Sequence, residues 1–482
     1  MNAPRLLIRN AAHVLTGAAP QGPGAPGRAR SDACDLRVAA DGTIAEMGRG
    51  LAAASGERVL DASGCVVYPG FVNTHHHLFQ SLLKGVPAGV DQTLSPWLQS
   101  VPYRYRSAFV DERRLRLAAR IGLVELLRSG CTTVADHHYL YWPGQGYDPA
   151  EVLFDEAARL GLRFMLLRGG GTVARSGGSL PAYARPETLD AMLAGLARNV
   201  ARFHQREPNA MRRVALAPTT ITVTLGTGEL KPAVRAAREM GVRLHSHMSE
   251  TVAYYEHCAE RFGGAKPIDV CAEHEWVGPD VWFAHLVHLS PAEQALLGET
   301  GTGIAHCPQS NGRLGSGVAP APALARLGAR VSVGVDGAAS NEAADMLSEL
   351  HAAWLLHRAH AGSAARPRPE GAGEQGGDAV TVEQLVHWAS AGGAAVLGFE
   401  GVGTLAPGMA ADLSVWSLDD PRHFGLHDEA LAPVVSGARP RLKWLLCNGR
   451  VVAEDDAIPG LDLAELAHEA RGAVREIAAQ AG

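Results

Sequence analysis

The chain has 482 residues, of which 46% are hydrophobic and 20% charged. This balance is typical of a globular protein with a large buried core and excludes disordered, collagenous and coiled-coil chains. The 44 basic and 50 acidic side chains give a formal charge of −6, which provides no bulk attraction to nucleic acid or to an anionic membrane, so we expect a small-molecule ligand.

The two ends of the chain have the pattern of short strands separated by turns. In residues 1–68 the runs LLIRNAAHVLTG and DLRVAADGTIAEMG are strand-like, and Asp41-Gly42 is typical of a tight hairpin turn. Strand character returns in residues 403–482, before a helix predicted over Leu461–Ala479. We predict that both ends combine into one small β-sandwich.

The middle of the chain, residues 69–402, alternates apolar strands with helices. One such helix begins after Asp111, which can cap it, and runs to Gly130. Parallel strands that alternate with helices predict a (β/α)8 TIM barrel, with a Gly/Pro/charge-rich excursion at residues 361–378. The eight predicted strands are VVYPGFVNTH, TTVADHH, RFMLLRGG, RVALAPTT, RLHSHMSE, VWFAHLVH, GIAHCP and VSVGVDG.

Several of the predicted barrel strands end in metal-ligating residue types. In such barrels the active site lies at the carboxyl ends of the strands. His75 and His77 end the first strand and share one face, whereas His76 points the other way; His247 ends the fifth strand and Asp336 the eighth. Each histidine alone could be a hydrogen-bonded structural residue. Together, three imidazoles and one carboxylate predict a site for Zn²⁺ or Fe²⁺ with a position left for water.

Two further polar residues lie near the predicted metal. Glu250 comes three residues after His247, where a carboxylate can reach a water molecule without ligating the metal, so we predict a proton shuttle; the alternative is a surface residue that caps the next helix. His285 ends the sixth strand and could hydrogen-bond the same water or the oxyanion. His288 is the weaker candidate because it lies past the strand end.

The strings PGFVNTHHHL, HSHMSE, AHLVHL, HCPQSN and GVDGAASN resemble the amidohydrolase superfamily, in the branch that contains cytosine, guanine, 8-oxoguanine and hydroxytriazine deaminases. Within that branch, NTHHHLFQSLLKG and RSGCTTVADHHY are most similar to the isoxanthopterin deaminases and next to the 8-oxoguanine deaminases. The resemblance implies one metal per chain, held by His75, His77, His247 and Asp336. The lysine that bridges two metals in binuclear members is missing from RVALAPTTITVTL.

The resemblance also suggests substrate contacts. Related deaminases hold the ring with a glutamine at the position of Gln80, whose alternative role is to order a loop. Arg168 ends the third strand and could bind a ring carbonyl through its planar fork, or instead pair with a loop carboxylate. Trp97, Tyr139 and Tyr141 could stack on a flat heterocycle or serve in packing.

These features predict hydrolytic deamination of a fused heterocycle, with isoxanthopterin as the expected substrate. Glu250 would take a proton from the attacking water and pass it to the ring nitrogen, while Asp336 would accept the last hydroxyl proton. The alternatives are an 8-oxoguanine deaminase, a hydroxytriazine aminohydrolase or chlorohydrolase, and a catalytically silent binding protein on the same fold. Intact ligands and Glu250 argue against the last.

Cysteine usage and the N-terminal sequence bear on location. The seven cysteines are odd in number and form no CxxC pair, and MNAPRLLIRN lacks the apolar core of a signal peptide. We therefore expect a cytoplasmic protein with no membrane or nucleic acid partner. Homo-oligomers are common for barrels of this kind, and we expect one here.

Overall fold

A barrel of parallel strands forms the centre of the protein. The computed structural model describes residues 6–21, 27–173, 184–362 and 380–481, so the excursion predicted at residues 361–378 lies almost entirely outside the described residues. The strands in chain order are β1 Leu6–Arg9, β2 His13–Leu15, β3 Arg30–Ser31, β4 Asp35–Val38, β5 Ile44–Gly48, β6 Arg58–Asp61, β7 Cys65–Pro69, β8 Phe71–Asn73, β9 Cys131–His138, β10 Arg163–Arg168, β11 Arg212–Leu216, β12 Leu244–Met248, β13 Val281–His285, β14 Gly303–His306, β15 Arg330–Val333, β16 Leu413–Ser417, β17 Leu442–Cys447 and β18 Arg450–Glu454.

Helices follow most of the barrel strands. In chain order they are α1 Leu94–Ser100, α2 Pro102–Tyr105, α3 Glu112–Arg128, α4 Pro149–Leu160, α5 Leu189–Phe203, α6 Ile221–Thr224, α7 Leu230–Glu239, α8 Val252–Arg261, α9 Pro267–Glu273, α10 Pro291–Thr300, α11 Pro308–Arg313, α12 Ala321–Arg326, α13 Met346–Ala361, α14 Val382–His387, α15 Gly393–Leu397, α16 Ala432–Val435 and α17 Leu463–Ala481. Asp111 caps α3 as predicted, because its side chain accepts a hydrogen bond from the Arg113 amide. The closing helix α17 starts two residues later than predicted.

Strands β8 to β15 form one eight-stranded sheet in consecutive order, and each pairs in parallel with its neighbour. The amide of Thr74, just after β8, donates to the carbonyl of Val333 in β15 at 3.1 Å, which joins the last strand to the first. The predicted (β/α)8 barrel is therefore confirmed.

The first predicted barrel strand is divided between two sheets. β7 pairs with β16 in the sandwich, whereas β8 pairs with β9 in the barrel. The chain changes sheets at Gly70, where a Cβ atom would collide with the side chain of Thr132. The run VVYPGFVNTH is uniformly apolar because both of its halves are buried, so its pattern could not reveal the division.

The sandwich contains strands from both ends of the chain, as predicted. One sheet has four N-terminal strands in the order β5-β4-β1-β6; the other has six in the order β18-β17-β16-β7-β2-β3. Side chains from both sheets share a core that includes Leu6, Leu36, Val67 and Val415. β7 precedes the barrel segment in the sequence and β16 follows it, and these two strands pair with each other in the sandwich. We therefore propose domain boundaries at residues 69 and 403.

A buried ion pair connects the barrel to the sandwich. The guanidinium of Arg163, in β10, contacts the carboxylate of Asp412, which precedes β16, and neither side chain is exposed. Asp412 also accepts hydrogen bonds from the Thr132 hydroxyl at 3.2 Å and the Asn448 amide at 2.6 Å. A charge pair with satisfied hydrogen bonds fixes the relative position of the two sheets.

Within the described residues, each helix is too short or too polar to cross a lipid bilayer.

Candidate metal centre

The structure brings together the four residues predicted to ligate a metal. His75 and His77 follow β8, His247 lies in β12 and Asp336 follows β15, so all four come from carboxyl ends of barrel strands. The Asp336 Oδ1 atom lies 3.3 Å from Nε2 of His75 and 3.3 Å from Nε2 of His77. Nε2 of His77 lies 3.2 Å from Nε2 of His247. These donor atoms converge on one point.

The backbone around this point has unusual conformations. Asp336 and His285 have φ angles of 59° and 75°, in the left-handed region that residues with a Cβ rarely adopt. The amide of Asp336 donates to the His75 carbonyl at 3.0 Å, and the His76 ring bonds the Asp336 carbonyl on the opposite side from the donors. Strained residues of this kind persist where the surroundings hold them, and they cluster at functional sites.

Hydrogen bonds to backbone carbonyls orient two of the histidines. Nδ1 of His77 donates to the His137 carbonyl at 2.7 Å, and Nδ1 of His247 donates to the Thr219 carbonyl. A carbonyl can only accept, so Nδ1 carries the proton and Nε2 of each neutral ring presents a lone pair to the centre. These two lone pairs lie 3.2 Å apart and repel each other, so a cation between them would be stabilised.

A metal ion fits that position. The donor atoms of His75, His247, His285 and Asp336 lie within 4.8 Å of one another, as do those of His75, His77, His137 and His247. Burial lowers the pKa of His247 to about 3, which keeps the ring neutral. Although burial opposes it, the Asp336 carboxylate raises the pKa of His77, so a proton and a metal compete for its Nε2. Imidazole and carboxylate donors suit Zn²⁺ or Fe²⁺.

Glu250 and His285 lie next to the four residues predicted to ligate the metal. His285 belongs to one of the two groups of close donors, and Glu250 belongs to neither. Oε2 of Glu250 is 3.6 Å from Nε2 of His285, and Oε1 accepts a hydrogen bond from the Ser316 hydroxyl at 3.4 Å. Burial raises the pKa of Glu250. Nδ1 of His285 donates to Oδ1 of Asn311 at 2.8 Å, and Asn311 is buried.

Hydrogen bonds orient both carboxylate oxygens of Asp336. The hydroxyl of Ser310 donates to Oδ2 at 2.6 Å, while the Gly337 amide donates to Oδ1 at 2.7 Å. Sequence reasoning did not select Ser310, although it lies in the string HCPQSN that carries the resemblance. These two donors fix the carboxylate so that Oδ1 faces the histidines.

A cavity of about 230 Å³ opens beside the metal centre. Gln80 and Trp97, both predicted to bind substrate, line it, and so does Tyr139. The indole nitrogen of Trp97 donates to the Ala339 carbonyl at 3.1 Å, which fixes the ring. The Gln80 amide nitrogen donates to the Tyr139 hydroxyl at 3.4 Å, and its buried Oε1 has no hydrogen-bond partner among the described residues. A side chain at Gly337 would collide with that amide.

The structure does not bring Arg168 into the cavity. Its two terminal nitrogens each donate to a different oxygen of Glu187 at 2.7 Å, and its guanidinium lies 4.0 Å from the centre of the Tyr141 ring. Neither Arg168 nor Tyr141 is among the residues that line the cavity. The Arg168 guanidinium, which was expected to bind a ring carbonyl or to pair with a loop carboxylate, therefore pairs with the carboxylate of Glu187.

Sequence reasoning missed several cavity residues. Tyr103 comes from α2, Thr220 precedes α6, and Tyr254 and His257 lie three residues apart on one face of α8. The position of α8 in the sequence could have indicated Tyr254 and His257. Because Glu250 lies just before α8, the first two turns of this helix border the same cavity.

Comparison with known proteins identifies relatives along nearly the whole chain. The profile of the amidohydrolase family matches residues 66–452. Isoxanthopterin deaminase from an unknown prokaryotic organism is 53% identical over 477 residues, which cover 98% of this chain and 97% of that protein. 8-oxoguanine deaminase from Pseudomonas aeruginosa is 38% identical over 450 residues, covering 93% and 96%. The crystal structure of atrazine chlorohydrolase from Arthrobacter aurescens TC1 complexed with zinc is similar with a TM-score of 0.87 at 27% identity, covering 97% of this chain and 100% of that chain.

Proposed function

The chain belongs to the amidohydrolase family, and we propose that it deaminates isoxanthopterin, a 2-amino pteridine with carbonyl groups on both rings, to the corresponding oxo compound and ammonia. It is a hydrolase that acts on carbon–nitrogen bonds. The observation that carries the choice of substrate is the 53% identity to isoxanthopterin deaminase over 98% of the chain. The buried histidine and carboxylate cluster beside a cavity is consistent with this chemistry.

We propose that His75, His77, His247 and Asp336 hold one divalent metal per chain, with Zn²⁺ as the first candidate and Fe²⁺ as the second. When bound, such a metal lowers the pKa of a water molecule towards neutrality and stabilises negative charge that develops on oxygen. Three neutral imidazoles and one carboxylate leave room for that water.

Glu250 is proposed to move the protons. Its carboxylate accepts a proton from the attacking water and delivers it to the ring nitrogen beside the carbon that carries the amine. Burial raises the pKa of Glu250 above the ordinary glutamate value, which makes its carboxylate a stronger base than an exposed one. Because Oδ1 of Asn311 can only accept, Nδ1 of His285 donates to it and Nε2 of the neutral ring is an acceptor. His285 is therefore proposed to accept a hydrogen bond from the attacking water.

Asp336 completes the reaction. It accepts the remaining hydroxyl proton and passes it to the amino nitrogen, the carbon–nitrogen bond breaks, and ammonia leaves with a carbonyl in its place. The overall balance is one substrate and one water giving one oxo product and one ammonia. The Ser310 hydroxyl, which bonds Oδ2, leaves Oδ1 directed at the reacting atoms.

The cavity wall accounts for recognition of a flat ring. Trp97 and Leu94 are proposed to pack against the faces of the ring. Gln80 is proposed to bond its polar edge, since Oε1 of Gln80 has no hydrogen-bond partner in the part of the chain that the structure describes. Arg168 is engaged elsewhere, so the distal carbonyl has to be bound by other polar groups of the wall, among which are Thr220 and His257.

The second candidate activity is 8-oxoguanine deamination, which the 38% identity to 8-oxoguanine deaminase favours. The test is a panel of isoxanthopterin, pterin, 8-oxoguanine, guanine and a hydroxytriazine with metal-loaded protein, with ammonia as the readout. We expect isoxanthopterin to have the highest kcat/KM. A higher kcat/KM for 8-oxoguanine would overturn the choice of ring system.

We also propose that the enzyme acts in the cytoplasm as a homo-oligomer. Size-exclusion chromatography with light scattering tests the second part, and a monomer at micromolar concentration would contradict it.

A further inference from the structure

His245 is a buried histidine to which the proposed reaction assigns no role. It lies in β12, two residues before His247, so the two side chains share one face of the strand, with His245 deeper in the barrel. Its ring is fully buried. Nε2 of His245 lies 2.9 Å from Nδ1 of His75, and Nδ1 of His245 lies 3.0 Å from the Trp282 carbonyl.

The direction of both hydrogen bonds follows from the carbonyl. Because the Trp282 carbonyl can only accept, Nδ1 of His245 carries the proton, and Nε2 of the neutral ring is an acceptor. His75 must then donate from its own Nδ1 to His245. Nε2 of His75 keeps its lone pair, and this atom is buried without a hydrogen-bond partner at the centre.

The three proposed histidine ligands therefore reach the same protonation pattern in two ways. His77 and His247 donate directly to backbone carbonyls, whereas His75 donates to a second ring, which itself donates to a carbonyl. We infer that His245 is a positioning residue that fixes the tautomer and ring orientation of His75 and so prepares it to bind the metal. Histidine ligands depend on such partners for their orientation.

Packing keeps the His245 ring in this orientation. The ring lies 4.7 Å from the Trp282 ring at an interplanar angle of 31°, and 5.3 Å from the His137 ring at 81°. With the proton on Nε2 instead, His245 would face the Trp282 carbonyl with a bare nitrogen and would force the His75 proton onto the atom that has to bind the metal. The carbonyl disfavours that alternative.

The test compares two replacements of similar size. His245→Gln retains a carbonyl oxygen that can accept from His75, whereas His245→Leu retains none. The readouts are the affinity for Co²⁺ in competition with a chelator and the visible absorption of the Co²⁺-loaded protein, neither of which needs substrate. We expect the leucine variant to bind Co²⁺ about 10- to 100-fold more weakly, with an altered spectrum. The glutamine variant should stay near wild type.

A matched control comes from another buried histidine pair. Nε2 of His357, in α13, lies 3.1 Å from Nε2 of His306, and both residues are buried. His357→Leu should leave Co²⁺ affinity unchanged, which separates loss of a buried histidine contact in general from loss of this one.

Three results would overturn the inference: wild-type Co²⁺ affinity in His245→Leu, equal losses in His245→Gln and His245→Leu, or an equal loss in His357→Leu. The inference rests on the proposed metal centre but not on the proposed substrate. Because metal affinity is measured without substrate, a wild-type protein that binds Co²⁺ yet deaminates nothing would refute the proposed function alone. A wild-type protein that binds no Co²⁺ would refute the metal centre and the role of His245 together.

Discussion

Replacement of Glu250 by glutamine tests the proposed proton transfer with little change in shape. The amide keeps an oxygen that can accept from the Ser316 hydroxyl, now at 3.4 Å from Oε1, but it loses the charge and the basic oxygen that lies 3.6 Å from His285. Glu250 belongs to neither group of close metal donors, so the metal should remain bound. Proton transfer by a positioned side chain contributes about 10² to 10⁴ in rate. We therefore expect kcat to fall by that factor, or about 2.7 to 5.4 kcal/mol in activation free energy.

The assay combines kcat, metal content and equilibrium binding of isoxanthopterin in the same preparation. As a control, Glu256→Gln removes an exposed carboxylate from α8 and should leave all three unchanged. The active form of Glu250 is the carboxylate, so wild-type activity should fall as the pH drops through its pKa, which burial raises above the ordinary glutamate value. The glutamine variant should lack this acidic limb. Loss of metal from Glu250→Gln would make Glu250 a ligand, and an unchanged kcat would refute the shuttle.

Four further substitutions test the centre and its supports. His77→Ala should lose the metal and all activity, whereas His76→Ala, whose ring faces away, should keep the metal. Elemental analysis of the two variants distinguishes these outcomes. Two tightly held ions per chain in the wild type would contradict the single-metal proposal. Arg168→Met should lower the free energy of unfolding by about 3 to 5 kcal/mol, because the carboxylate of Glu187 becomes unpaired. KM for isoxanthopterin should stay at the wild-type value. A raised KM with unchanged stability would instead indicate that Arg168 binds the substrate. Asp412→Asn should also cost about 3 to 5 kcal/mol in denaturant unfolding, because Arg163 is fully buried, and an unchanged midpoint would refute the importance of that ion pair.

Much of the fold and the proposed ligand set could be predicted because they depend on local pattern. His75, His247 and Asp336 are strand-end residues, and a parallel barrel places all strand ends at one mouth. The course of a long side chain after it leaves a strand depends on partners that the local pattern does not contain. Arg168 turns to Glu187, 19 residues further along the chain, and no periodicity reveals that pairing.

The same limit explains the other differences. The division of the first apolar run at Gly70 depends on a close approach to Thr132, which is distant in sequence. The role of His245 could not be predicted from the sequence, because it depends on a hydrogen bond to a proposed ligand from another strand.

The central claim is that this site replaces the amine of isoxanthopterin by an oxygen from water. The most direct measurement is mass spectrometry of the product formed by metal-loaded protein in heavy-oxygen water, with ammonia quantified in the same sample. We predict one ammonia released for each isoxanthopterin consumed, one heavy oxygen in each product molecule, and no turnover by the metal-free protein. Unchanged isoxanthopterin in the presence of metal-loaded protein that releases ammonia from another heterocycle would contradict the claim.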